Sequence, residues 1–329
     1  WKNRYVVDGS YRLSGSSKFG ANHRFAPFWS VGLGYNIHNE KFIKKLGWIN
    51  TMRLRGSYGF TGSVKFDSYQ AVTTYKYNSS YLGYTGVGAI PMGMANPDLK
   101  WQTTKKFNIG LTSSFFGDRM NVNLDFYNEK TCDMLIDKSL PPSSGATSVK
   151  ANLGSQTSNG FEFSLWGKII KTKDWEWNLS YNFTWQNMKV KNLSLIKGGS
   201  QTNVKVGPSI DAYQFQVLSE GYEPYMFYVY HQLYDSKTGK PIEGAYADLN
   251  GDGEINDVDL YRYHSPAPKY IMGLSTSLRY KQLTLGMSFR ANIDNYVYNG
   301  MGMSTGAFET VSYNNSQLNN LNTSFLKTG

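Results

Sequence analysis

No uninterrupted apolar run of about 18 residues occurs in this 329-residue chain, and that excludes a membrane-spanning helix. There is one cysteine, Cys132, so neither an intrachain disulfide nor a cysteine-rich metal site is available. Histidine is scarce: His23, His38, His231 and His264 are the four. No GxSxG, HExxH or phosphate-loop string occurs, which removes the common hydrolase, zincin and nucleotide-hydrolysing signatures. The net charge is +10, which serves solubility or attraction to anionic lipid or nucleic acid; no basic cluster interleaves with a nucleic-acid-binding pattern, so nucleic acid is not an expected partner. No helix-period segment is long enough for a membrane-surface helix. The chain starts at Trp1 without a signal peptide, and is expected to be an internal fragment or a processed chain.

What the chain has instead is aromatic residues, 16% of the total with 25 Tyr and 8 Trp, and strict alternation. In residues 175–189 (WEWNLSYNFTWQNMK) Trp175, Trp177, Leu179, Tyr181, Phe183 and Trp185 share one parity. Glu176, Asn178, Ser180, Asn182, Thr184 and Gln186 share the other. A strand apolar on one side and polar on the other can face lipid and water at once. The same two-residue period recurs around Tyr5–Leu13, Trp29–Ile37, Met52–Phe60, Phe107–Leu111, Val122–Phe126, Phe161–Leu165 and Leu283–Phe289. Most segments have the length, about ten residues, that a tilted strand needs to cross hydrocarbon. In lipid only helices and closed barrels satisfy their own backbone. The fold class expected is therefore all-β: a transmembrane, antiparallel, up-and-down β-barrel, in preference to a soluble sandwich.

Connection lengths carry a second signal. Short turns (GDRM at 117–120, KTKD at 171–174, Lys281-Gln282) alternate with long polar stretches at about 61–104, 132–159, 190–269 and 292–329. Outer-membrane barrels have short periplasmic turns and long extracellular loops, so the long stretches are expected outside the cell, with one internal hairpin in 190–269. Residues 37–50 break the alternation and are expected to hold one helical turn on the periplasmic side. Roughly nine strands start and stop without a closing signal, so residues 1–329 are expected to be part of one larger barrel domain, with its last strands absent.

Three groups of residues invite chemistry. Asp248, Asn250, Asp252, Glu254, Asn256 and Asp259 follow the DxNxDGxINxxD spacing of a calcium loop, whose alternate oxygens converge on one point. The expectation is a structural Ca²⁺ site. The alternative is an Asx-rich turn whose side chains bond nearby amides; Asp259 where an EF-hand has Glu, and the lack of an entering helix, leave both open. The loop YQAVTTYKYNSSYLGY places Tyr75, Tyr77, Tyr81 and Tyr84 where they can stack on sugar rings, or pack the loop on itself. Tyr213, Tyr222, Tyr225, Tyr228 and Tyr230 pose the same choice in the largest loop. His23 and His38 belong to opposite rims and cannot share a site, and His264 is expected as a surface group. No enzyme activity is expected.

Several strings, in order along nearly the whole chain, resemble the SusC/RagA-type TonB-dependent outer-membrane transporters of Bacteroidetes. They are residues 10–19 (SYRLSGSSKF), 52–62 (MRLRGSYGFTG), 96–101 (NPDLKW, followed by Gln102 where Glu is usual), 152–163, 245–269 (AYADLNGDGEINDVDLYRYHSPAPK) and 297–299 (VYN). The resemblance implies a 22-stranded barrel in the bacterial outer membrane, with an N-terminal plug and a TonB box, both expected to lie outside residues 1–329. It also implies a SusD-like surface lipoprotein as lid, TonB-driven import, and an oligosaccharide or oligopeptide cargo, the aromatic loops leaning towards glycan. A passive porin and a non-transporting surface-binding barrel are the alternatives.

Overall fold

The computed structural model describes residues 3–64, 66–83, 86–144, 148–193, 203–210 and 213–300. Nine long strands dominate: β1 (Tyr5–Gly15), β2 (Phe25–Asn36), β3 (Ile49–Ser63), β4 (Gln102–Phe115), β5 (Met120–Cys132), β6 (Ser155–Lys171), β7 (Trp175–Asn192), β8 (Tyr270–Tyr280) and β9 (Leu283–Ile293). They make one nine-stranded sheet whose spatial order is the chain order. Each neighbouring pair is antiparallel. Among the described residues β1 and β9 are paired on one side only, so the sheet is a segment of barrel wall. The chain's contacts divide it into two compact units. One holds the nine strands; the other is built, among the described residues, from 203–210, 213–219, 223–268 and 294–300.

The ladder carries its register from strand to strand. One row reads Val7, Leu33, Gly56, Ile109, Phe126, Phe161, Trp185, Tyr270 and Ile293 across all nine strands. Because side chains alternate in orientation, this row and those two residues away form one apolar face. It is not covered: Leu33, Ile109, Phe126, Leu285, Met287 and Phe289 are all exposed, Leu285 by 55%. Trp177 and Phe183 stay only partly buried, and among the described residues their strand belongs to one nine-stranded sheet. The indole N–H of Trp177 donates to Thr276 Oγ1 at 2.8 Å, so its one polar atom is satisfied within the face.

Aromatic side chains mark both margins of this face. On β8, Tyr270 and Tyr280 bracket Met272, Leu274 and Leu278. Ten steps of about 3.4 Å, tilted by about 45°, span roughly 24 Å, the height of the apolar band of an outer-membrane barrel. At one margin Trp29 packs against Tyr58 and Phe60. At the other Trp48 stacks on Phe115 and Phe116, and Trp175 lies 4.3 Å from Tyr280, centroid to centroid. Aromatic rings settle at such interfaces because one end prefers hydrocarbon and the other water.

The connections segregate by rim. Residues 16–24, 64–101, 133–154 and 193–269 join strands at one end of the sheet; 37–48, 116–119, 172–174 and 281–282 join them at the other. The helical turn at the second rim is the helix Lys41–Lys44, preceded by a 3-10 turn at Ile37–Asn39. No described helix is long and apolar enough to cross a membrane. Strands run further than the alternation suggests. β3 continues to Ser63, β6 starts at Ser155 and β7 ends at Asn192, because ladder hydrogen bonds persist after the apolar period has faded. The stretch expected to hold one hairpin is itself folded. It contains a four-stranded sheet, Asn203–Ile210, Tyr213–Ser219, Met226–Val229 and Tyr261–Arg262, and a hairpin of Gln232–Tyr234 with Pro241–Tyr246. Val217, Leu218 and Phe227 are its buried core.

The two faces make opposite demands at adjacent positions of one strand. Phe163→Arg, at the middle of β6 on the apolar face, is expected to cost about 2–4 kcal/mol in folding into vesicles. Ser164→Arg, on the polar face, is expected to cost less than about 1 kcal/mol. Urea titration of the whole protein in lipid measures both.

Candidate functional site

The polar face carries a charged row. Gly34, Arg55, Gly110, Asp125, Glu162 and Thr184 are successive partners across five strand pairs. Asp125 and Glu162 are directly opposite each other, an unfavourable pairing of like charges. Arg55 offsets it by reaching across the intervening strand to Asp125, Nη2 to Oδ2 at 2.5 Å. That reach depends on Gly110: a Cβ there would lie 2.3 Å from Asp125 Oδ1 and 2.7 Å from Arg55 Nε. Gly160 likewise lets the Tyr127 ring lie flat over it, and Lys106 pairs with Glu129 at 2.6 Å while lying over the Tyr127 ring. Together with Asn108, Ser158 and Gln186 these residues line a polar depression.

These pairs are partly exposed, with Arg55 43% and Lys106 49% accessible, so each contributes at most about 1 kcal/mol. Their consequence is polarity: the wall offers donors and acceptors to a polar solute, with the Tyr127 ring among them. None of these residues stood out in the sequence as a site. The available signal was charge inside strands, at Arg55, Asp125 and Glu162, and it becomes a row only once the register is known.

At the long-loop rim the segment NPDLKW ties three connections together. Leu99 is fully buried. Its carbonyl accepts from Gly20 N at 2.9 Å, and Pro97 O accepts from Asn22 N. Asn152 mimics a strand partner, its Oδ1 accepting from Lys100 N and its Nδ2 donating to Lys100 O, at 2.8 and 2.7 Å. Lys100 also pairs with Asp133 at 2.9 Å. Trp101 donates to Arg24 O and packs in a buried cluster with Phe19 and Phe28. A Cβ on Gly20 would sit 1.9 Å from Pro97 O, so the close approach requires glycine.

The tyrosine loop is a hairpin, Thr74–Gly83 with Gly86–Gly93. Tyr75 and Tyr77 lie two residues apart and so share a face; they are 60% and 75% exposed. The side chain of Tyr81, and all of Tyr84, lie outside the described residues. Tyr213, Tyr222 and Tyr225 are exposed, whereas Tyr228 and Tyr230 are half-buried. Burial raises the Tyr230 hydroxyl pKa, and nearby Asp257 adds to it.

In the acidic loop the carboxylates turn onto backbone amides. Asp259, fully buried, accepts from Asn256 N at 2.9 Å and Leu249 N at 2.8 Å. Asp248 accepts from Gly251 N and Gly253 N, and Asp252 from Glu254 N. Asn250 Oδ1 accepts from Asp252 N, and Asn256 Oδ1 from Val258 N; the Glu254 side chain is exposed. The amide of Asn256, then those of Leu249 and Asn250, hold the Asp259 carboxyl below its ordinary pKa. Among the described residues no three His, Cys, Asp or Glu side chains are grouped as for a metal ion. Of the histidines, His38 bonds the Met52 backbone, His231 packs edge-on to Tyr261, and His264 stacks on Tyr296 at 3.7 Å rather than standing alone at the surface.

Compared with known proteins, residues 1–325 match the family described as TonB dependent receptor-like, beta-barrel. The TonB-dependent receptor SusC of Bacteroides thetaiotaomicron is 34% identical over 95% of this chain and 33% of its own length. TonB-dependent receptor P3 of Formosa agariphila is 30% identical over 91% of this chain and 31% of its own. A solved structure of the RagAB peptide transporter superposes with a TM-score of 0.77 and 29% identity, over 92% of this chain and 33% of that one. The chain thus spans about a third of the length of the curated relatives it matches.

Two outcomes follow from this geometry. Gly20→Ala is expected to unlock the rim staple, at a cost of about 1–3 kcal/mol, read as faster limited proteolysis within residues 64–101. For the acidic loop, a depressed Asp259 pKa means stability that is present above the unfolded value of about 3.9 and lost as pH falls through the folded value. Proteolysis of residues 248–259 is expected to accelerate only in that acid window, and Asp259→Asn to produce the same acceleration at neutral pH. Amide capping predicts no effect of a chelator. A chelator-dependent change abolished by Asp252→Ala would instead mean that Ca²⁺ replaces the amides.

Proposed function

The chain belongs to the TonB dependent receptor-like β-barrel family, and from that premise we propose that it forms part of the wall of a transporter importing an oligomeric nutrient. It lies in the bacterial outer membrane. The observation that carries the proposal is the charged row on the face opposite the apolar one, which suits a passage for a polar solute. The large connections at one rim supply the outer capture surface, and energy enters through TonB by way of a plug, parts that come with the SusC/RagA resemblance. A SusD-like lipoprotein closing over the long-loop rim completes the reading, with exposed Tyr213 and Tyr225 as contacts of mixed apolar and hydroxyl character.

For the cargo we favour a glycan. Tyr75 and Tyr77 present two exposed rings on one hairpin face, an arrangement suited to the C–H faces of pyranose rings. A peptide is the second reading, favoured by likeness to the RagAB peptide transporter. A passive porin and a non-transporting surface barrel make different predictions about growth. Deleting the gene is expected to abolish growth on one class of oligosaccharide while leaving growth on its monosaccharide intact. Restoring it with Tyr75→Ala and Tyr77→Ala together is expected to weaken uptake by roughly tenfold, given about 1 kcal/mol or less from each ring. Loss of growth on oligopeptides alone would select the peptide reading, and unchanged growth on every oligomer would refute import.

A further inference from the structure

We propose that the apolar face holds a specific phospholipid site at the short-turn rim, between β5, β6 and β7. Along β6 the apolar positions read Phe161, Phe163, Leu165 and then Gly167, which lacks a side chain opposite Met120 and Leu179. Two residues on, the β6–β7 register shifts between Lys168 and Ile170. This bulge sets Ile169 over the glycine, with Cδ1 3.6 Å from where a Cβ would lie. The result is a notch of about 340 Å³ in the apolar face, walled by Leu165, Leu179, Met120 and Phe116.

The occupant follows from what borders the notch. It opens on the face that meets acyl chains, so hydrocarbon is what reaches it. It lies at the aromatic margin marked by Trp48, Phe116, Trp175 and Tyr280, the depth at which a lipid changes from acyl chain to headgroup. Arg119, in the β4–β5 turn, lines the notch and is exposed, its backbone carbonyl 3.7 Å from where a Gly167 Cβ would lie, and among the described residues no carboxylate pairs with its side chain. Lys168, which also lines the notch, holds its ammonium over the Trp166 ring. An apolar slot lined by an exposed arginine that pairs with no described carboxylate fits an acyl chain with an anionic phosphate headgroup; guanidinium binds phosphate in a bidentate way that ammonium does not. Basic groups beside apolar gaps at a membrane margin select anionic lipids in this manner.

The test is native mass spectrometry of the whole protein that carries this chain, titrated in detergent with phosphatidylglycerol or with phosphatidylcholine. The wild type is expected to retain phosphatidylglycerol preferentially. Arg119→Gln, a change on an exposed turn, is expected to weaken phosphatidylglycerol by roughly fivefold and leave phosphatidylcholine unchanged. Gly167→Leu fills the slot and is expected to reduce both. Equal retention of the two lipids by the wild type, or retention of phosphatidylglycerol unaltered by Arg119→Gln, would overturn the site.

Discussion

The interstrand hydrogen-bond ladder is the interaction on which everything else rests. Inside hydrocarbon an unpaired amide or carbonyl costs several kcal/mol, so a strand can cross only if both neighbours pair with it throughout. From β2 to β8 each strand is paired on both sides by the strands next to it in the chain order of the sheet, along β2 over residues 30–35, so the chain can build its wall by adding hairpins. The same ladder fixes the register, and register decides which side chains meet lipid. A slip of one residue would turn the row from Val7 to Ile293 inwards and expose Arg55, Asp125 and Glu162 to acyl chains. Alternation and ladder are thus one constraint seen from two sides.

Glycine gives the polar face its particular form. Asp8 lies against Gly32, Arg53 against Gly34, Tyr127 against Gly160 and Asn182 against Gly273, each close enough that a Cβ would collide. Long polar side chains therefore lie along the wall instead of projecting from it. In this way a thin sheet can carry charge without filling the space it encloses. The NPDLKW segment does the complementary task at the rim, where backbone pairing has ended. It replaces ladder bonds with side-chain amides and a buried Leu99, and so anchors long connections to the end of the barrel.

Much of the sheet was legible in the residues. The two-residue period of 175–189, the length of the segments and the division of turns into short and long all report a lipid-facing wall directly, because each arises from local geometry. Strand ends were less legible: β6 begins at Ser155 and β7 reaches Asn192 through residues with no apolar period. The folded unit within 193–269 was missed because short strands such as Met226–Val229 and Tyr261–Arg262 carry too few residues for a period to register. The polar row failed to stand out for a different reason. Arg55, Asp125 and Glu162 are far apart in sequence and become neighbours only through register. For the acidic loop, spacing identified the oxygen-bearing residues and left a cation and the backbone amides as alternative partners.

The claim beneath all of this is that one face of the sheet meets hydrocarbon and the other meets water. Spin labels placed singly at each position from Trp177 to Gln186, in the whole protein reconstituted into vesicles, test it through collisions with lipid-soluble oxygen and with a water-soluble nickel chelate. The account predicts two-residue oscillations in opposite phase, oxygen maximal at 177, 179, 181, 183 and 185 and nickel maximal at the positions between. Low access to both reagents at the odd positions would place those side chains in a dry protein interior and contradict the barrel wall.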